Sequence, residues 1–91
     1  MRTVRKNPGL CMHELGVLLQ IVKTVDRITK EEKISRVRYI ALEVGTDSGF
    51  VPMYLSKLFP AAADSCPKLK RTQLQIITVP GSGLNIKEIG Y

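Results

Sequence analysis

Chemistry in this chain has few candidate carriers. The single histidine is His13, in the tripeptide Met12-His13-Glu14. A lone imidazole beside a helix start is more often a surface or capping residue than a metal ligand. Cys11 adjoins it, so a thiolate–imidazole pair could form there, but two ligands do not make a site. Cys66 sits between Ser65 and Pro67, with no base placed by sequence to activate it. Lys68, Lys70 and Arg71 form a basic cluster that reads as a solvated loop or as a contact for an acidic partner or a phosphate. Gly81-Ser82-Gly83 lacks the frame of a phosphate-binding loop and is a turn signal. No paired carboxylates and no Ser/His/Asp arrangement point to hydrolysis, so the chain does not read as an enzyme.

Composition narrows the classes further. Ninety-one residues make one small domain with a thin core. Two cysteines exclude a disulfide scaffold and a zinc site built from two CxxC pairs. No apolar run approaches a membrane span, and no signal-peptide pattern is present, so the expected location is cytoplasmic. The net charge is +6, but Arg2, Arg5 and Lys6 carry half of it. The rest is only mildly basic, which makes a small nucleic-acid-binding protein the weakest reading. Tyr39, Tyr54 and Tyr91 are not spaced as a base-stacking platform.

The elements that must position these residues follow from hydrophobic period. Residues 1–11, with Asn7-Pro8-Gly9, show no period and read as a flexible N-terminal extension. Leu15, Leu18, Leu19, Val22 and Val25 recur at helical spacing, with Ile21 and Ile28 beside them, and predict an amphipathic helix over 15–32. Residues 36–44 alternate as a strand, with Ile40, Leu42 and Val44 on one face and Val37, Tyr39, Ala41 and Glu43 on the other. Pro52 suits the first position of a second helix through Leu55, Leu58 and Phe59, broken or kinked near Pro60. Residues 65–70 read as loop because of Pro67. The runs 73–79 and 84–89 alternate on either side of Pro80-Gly81-Ser82-Gly83 and read as a hairpin. The order helix-strand-helix-strand-strand predicts an α+β domain, two helices packed on a small three-stranded mixed sheet.

The succession of landmarks resembles the HypA/HybF family of nickel metallochaperones. Met12-His13-Glu14-Leu15 opens the first helix, and Leu42-Glu43-Val44-Gly45 ends the first strand. Ser48-Gly49-Phe50-Val51-Pro52 opens the second helix, and Leu74-Gln75-Ile76 and Leu84-Asn85-Ile86 mark the remaining strands. The resemblance covers residues 12–91. It implies a Ni(II) site at Met12, His13 and Glu14, in the maturation of a nickel enzyme such as [NiFe]-hydrogenase. A terminal amine, the following amide nitrogens and the imidazole could close fused rings around Ni(II), with Glu14 giving its backbone nitrogen or a supporting carboxylate. It also implies a HypB-like maturation GTPase and the large subunit of the nickel enzyme as partners, and leaves a homodimer open. Because the amine belongs at Met12, that residue is expected to be the functional start. The zinc-binding insertion of the family is replaced by a tight turn at 80–83, so no zinc is expected. Thr46 stands where the family carries an acid, and Gly16 where it usually carries Ser. The alternative is a degenerate, metal-free interaction module on the same fold.

Overall fold

A computed structural model describes the backbone of residues 6–91 and the side chains of residues 13–91. Helix α1 spans Lys6–Glu31, strand β1 Tyr39–Gly45, helix α2 Pro52–Ala63, strand β2 Gln73–Val79 and strand β3 Leu84–Gly90. The sheet order is β2-β1-β3. The central strand pairs parallel with β2, Leu42 opposite Ile76, and antiparallel with β3, Val44 opposite Leu84. Two helices and a mixed three-stranded sheet are the expected class, but the hairpin is not. β2 and β3 lie on opposite edges, and the chain crosses the end of β1 between them. Hydrophobic pattern selects the strands; it does not state which neighbour each takes.

The crossing is short because β1 ends in glycine. Residues 80–83 lie directly on Gly45, whose N–H donates to Gly83 O at 2.7 Å, while Thr46 N–H donates to Val79 O at 2.8 Å. A Cβ on Gly45 would collide with the backbone of Gly81 and Gly83. Four residues can therefore link the two edge strands only across a residue without a side chain.

One face of the sheet carries the core. Ile40, Leu42 and Val44 are buried against Leu18, Ile21, Val22 and Val25 of α1 and Leu55 and Phe59 of α2. Each such side chain is worth about 1.5–3 kcal/mol when fully withdrawn from water. Leu19 was grouped with the inward stripe but is 46% exposed; the stripe centres on Leu18, Ile21 and Val25, one helical step away. Val37, expected on the outer face, is buried because the chain before β1 turns it under the core. Ala41 is buried as well, although its neighbours Tyr39 and Glu43 are only partly covered. A bulge between Ala41 and Leu42 in the pairing with β3 sets Glu88 opposite Ala41 and Ile86 opposite Leu42. It lets Leu84, Ile86 and Ile89 all reach the core although strict alternation would send Glu88 there.

The helices differ from expectation at their ends. α1 begins at Lys6, not residue 15. Asn7-Pro8-Gly9 falls in its first turn, where N–H groups have no intrahelical partner and proline loses nothing. Residues 1–5 of the expected extension lie outside the described residues. At the other end Lys33 takes a left-handed φ of 57°. Ile34 N–H donates to Thr29 O at 2.8 Å and Lys33 N–H to Lys30 O at 3.4 Å, a Schellman closure built without glycine. α2 runs unbroken through Pro60. Pro60 and Ser56 are both exposed, so water can serve the Ser56 carbonyl that loses its donor. The expected loop 65–70 contains a single 3-10 turn, Pro67–Leu69, which Pro67 starts rather than prevents.

Candidate functional site

The site lies where α1 passes the start of α2. After β1 the chain turns through Thr46–Gly49, and Gly49 adopts φ 84°. Ser48 Oγ accepts the N–H of Phe50 at 3.2 Å, which holds the turn before the helix. Phe50 then stacks on the imidazole of His13, with ring centroids 4.4 Å apart and planes inclined by 16°. His13 itself is exposed. Its ring is thus fixed on one face by an aromatic neighbour and open to solvent elsewhere.

Glu14, the next residue, behaves differently. Its side chain is fully buried, and Oε2 accepts the N–H of Val51 at 2.8 Å. Val51 is the residue that opens α2, and it offers no side-chain cap of its own. Pro52 follows and has no N–H. Glu14 therefore serves from another helix the N-cap N–H that the Glu or Gln of a capping box would serve locally. The carboxyl also sits at the positive end of the α2 dipole. Its second oxygen, Oε1, is buried without a partner among the described residues.

Met12, His13 and Glu14 do not converge as folded. All three lie inside α1, so their backbone nitrogens point along the helix ladder rather than around a common ion. Side chains one residue apart diverge on a helix, and here one is exposed while the other is buried. The side chains of Met12 and Cys11 lie outside the described residues. Among those described, no three His, Cys, Asp or Glu residues gather as a metal cluster.

The remaining candidates separate as well. Cys66 is buried, and its thiol donates to Asp26 Oδ1 at 3.7 Å. Lys68 leaves the basic cluster: its Nζ donates to Thr29 Oγ1 at 3.1 Å and lies 3.9 Å from Asp26. Lys30 pairs with the other Asp26 oxygen at 3.2 Å. The Lys30 hydrogen bond, aided by Lys68 and Cys66, holds the Asp26 carboxyl below the usual aspartate range. This cluster ties α1 to the 3-10 turn. Lys70 and Arg71 remain exposed.

The capping role of Glu14 was not expected, yet two signals bear on it. Glu14 stands four residues before Leu18, on the apolar stripe itself. α2 begins Val51-Pro52, without a capping side chain. An acid in a buried stripe and a helix start in need of an acceptor are complementary demands.

Comparison with known proteins bears on the family and the fold. Residues 12–84 match the family model described as hydrogenase/urease nickel incorporation metallochaperone, hypA. The chain belongs to the HypA family. The match begins at the Met12-His13-Glu14 tripeptide. Within the HypA family, the chain is similar to the hydrogenase maturation factor HypA of Deinococcus radiodurans, 33% identical over 72 residues, which cover 79% of this chain and 59% of that protein. HypA 1 of Bradyrhizobium diazoefficiens is 33% identical over 70 residues, 77% of this chain and 61% of its own length. HypA of Dechloromonas aromatica is 31% identical over 72 residues, 79% of this chain and 63% of its own. The chain thus spans about three fifths of the length of the curated relatives it matches. A solution structure of a HypA protein shares the fold, with a TM-score of 0.65 over 85% of this chain and 71% of that one, at 14% identity. The HypA family is one of maturation metallochaperones, which bind and deliver rather than catalyse. Among the described residues no helix is long and apolar enough to cross a membrane.

Proposed function

We propose that this chain carries nickel as cargo for a maturing nickel enzyme, with His13 as the side-chain ligand and the backbone nitrogens of Met12, His13 and Glu14 completing a nitrogen-rich set suited to Ni(II). The observation that carries the reading is the His13 imidazole, exposed and braced on Phe50 at the residue pair where the family match begins. The backbone nitrogens are committed to α1, so capture of the ion competes with the N-terminal turns of that helix. Those turns contain Gly9, a poor helix former, and form the free end of the helix, where opening costs least. Glu14 keeps its carboxyl on Val51 and acts as the anchor from which the preceding turns unwind. Deprotonated nitrogen ligands are required, so binding releases protons and weakens on acidification.

Delivery requires a partner. A HypB-like maturation GTPase and a hydrogenase large subunit are the partners proposed for it. No zinc is proposed: β2 and β3 are joined by residues 80–83 alone, and Gly45 fits closely beneath that crossing.

Isothermal titration of Ni(II) into the full chain and into His13→Ala tests the reading. One-to-one binding is expected for the parent chain and its loss in the variant. Helical circular dichroism should fall as nickel binds. A chain beginning at Met12 should bind more tightly, because its terminal amine replaces a committed amide. Equal binding by parent and His13→Ala would overturn the assignment. A helix that runs through Met12 favours one second reading, a metal-free interaction module of the same fold. Absence of binding in every form would support that module.

A further inference from the structure

The far end of the sheet carries a second feature, unrelated to nickel. β1 starts there, β2 starts parallel beside it, β3 finishes antiparallel on its other side, and α1 ends above it. That topology brings Lys33, Arg36, Arg38 and Arg71 to one groove of about 910 Å³, with Tyr39 in its wall and Glu32 as its one acid. Lys33 follows the end of α1, Arg36 and Arg38 precede β1, and Arg71 precedes β2. All four are exposed. Among the described residues the ion pairs are Arg27–Glu31, Lys30–Asp26 and Lys68–Asp26, and none involves these four.

The backbone that presents them is tightly held. Val37 N–H donates to Lys68 O at 3.1 Å, and Arg38 N–H donates to Gly90 O at 2.7 Å. Gln73 N–H donates to Arg38 O at 2.9 Å, and Thr72 Oγ1 donates to Val37 O at 2.8 Å. Val37 is buried between the two arginines, which sends both side chains outward. Four like charges on a fixed frame repel one another, and among the described residues Glu32 is the one acidic side chain in the lining to offset them.

We propose that this groove docks an acidic segment of a partner polypeptide, with Arg36, Arg38 and Arg71 gripping its carboxylates. Guanidinium groups match carboxylates in paired hydrogen bonds, and three of the four cations are arginines. Arg36 and Arg38 are exposed on either side of the buried Val37, two residues apart, the repeat at which an extended acidic chain presents successive carboxylates on one side. A compact phosphate is disfavoured by the lining, which offers neither a helix N-terminus nor a glycine-rich loop. Single-stranded nucleic acid is disfavoured because successive bases need successive free rings: Tyr39 covers Gly90 and donates its hydroxyl to Glu88, which leaves Tyr91 as the one free ring in the lining among the described residues. The groove lies about 20 Å from the His13 end, the length of β1. A partner can hold this surface while the other end stays open.

The test uses the full chain and fluorescence anisotropy of a labelled Glu-rich peptide of about ten residues, long enough to span the groove. Arg36→Glu/Arg38→Glu should weaken peptide binding by roughly tenfold or more. Lys23→Glu/Lys57→Glu, the same charge change on exposed helix positions outside the groove, should change it by less than about twofold. Competition by inorganic phosphate or by a single-stranded oligonucleotide should be weaker than competition by unlabelled peptide. Equal losses in the two double variants would reduce the effect to net charge and overturn the proposal. So would tighter binding of phosphate or oligonucleotide, or no binding by the parent chain. Circular dichroism of each variant confirms that the fold is retained, and nickel binding by Arg36→Glu/Arg38→Glu should equal that of the parent whether or not the His13 reading holds.

Discussion

The two ends of the sheet are built on opposite principles. At the end where β1 finishes, order comes from close contact. Gly45 admits the crossing chain, Glu14 caps α2 from within the core, and Phe50 lies flat on His13. At the end where β1 begins, backbone hydrogen bonds hold a frame, and the cations around the groove make no ion pair among the described residues. The first arrangement fixes the one imidazole on Phe50, the side chain proposed to take a small ion. The second suits a polypeptide, which can be attracted at range by charge and needs no single geometry. The same small core supports both ends.

The largest expected effect removes that shared support. Phe59 is 4% exposed and joins α2 to the sheet. Phe59→Ala should lower unfolding free energy by about 3–5 kcal/mol in urea titration, and should weaken both ends together. A loss confined to one end would mean the ends do not share a core. Glu14→Ala comes next. It leaves Val51 N–H without its acceptor and should cost about 1–3 kcal/mol, while Glu14→Gln, which keeps an acceptor, should cost less. Hydrogen exchange should quicken at the start of α2 and stay unchanged around Arg38. Matching changes at both ends would erase the contrast.

Smaller effects probe the charged end. Lys33 holds a left-handed conformation that disfavours any side chain. Lys33→Gly should therefore raise stability by about 1 kcal/mol in the same titration, with nickel binding unaltered. Asp26→Asn should have the smallest effect, read from the pH dependence of stability. The Asp26 carboxyl is held below its ordinary value of 3.8, chiefly by Lys30. Its contribution is present above that value and fades as pH falls through the lowered one. The variant should lose this acid-range slope, be slightly less stable than the parent at neutral pH, and converge with it below the lowered value. An undiminished slope would place the acid sensitivity elsewhere.

Period and composition reached much of this protein unaided. Leu18, Val22 and Val25, Ile40, Leu42 and Val44, and Leu74 and Ile76 were legible because burying one face imposes a repeat of 3.6 or 2 on the chain. His13 was legible as the one imidazole, set in a recognisable succession of landmarks. Pro52 marked a helix start for a purely local reason, its missing N–H.

Other features depend on residues far apart in the chain. Nothing in Gln73–Val79 or Leu84–Gly90 says that β1 lies between them; that follows from where Gly45 lets the backbone cross. Pro8 and Pro60 looked like breakers because local preference counts a lost hydrogen bond, yet a helix end and a solvated face both tolerate that loss. Arg36 and Arg38 read as the start of the first strand, but the strand begins at Tyr39 and parallel pairing brings Arg71 beside them. Glu14 read as a source of a backbone nitrogen or of a supporting carboxylate; folding sets that carboxylate against Val51. The residue types and their periods determined the elements, the core and the chemistry on offer. Only the tertiary structure decided which groups meet, because hydrogen bonds and charge pairs are settled by distance in space and not along the chain.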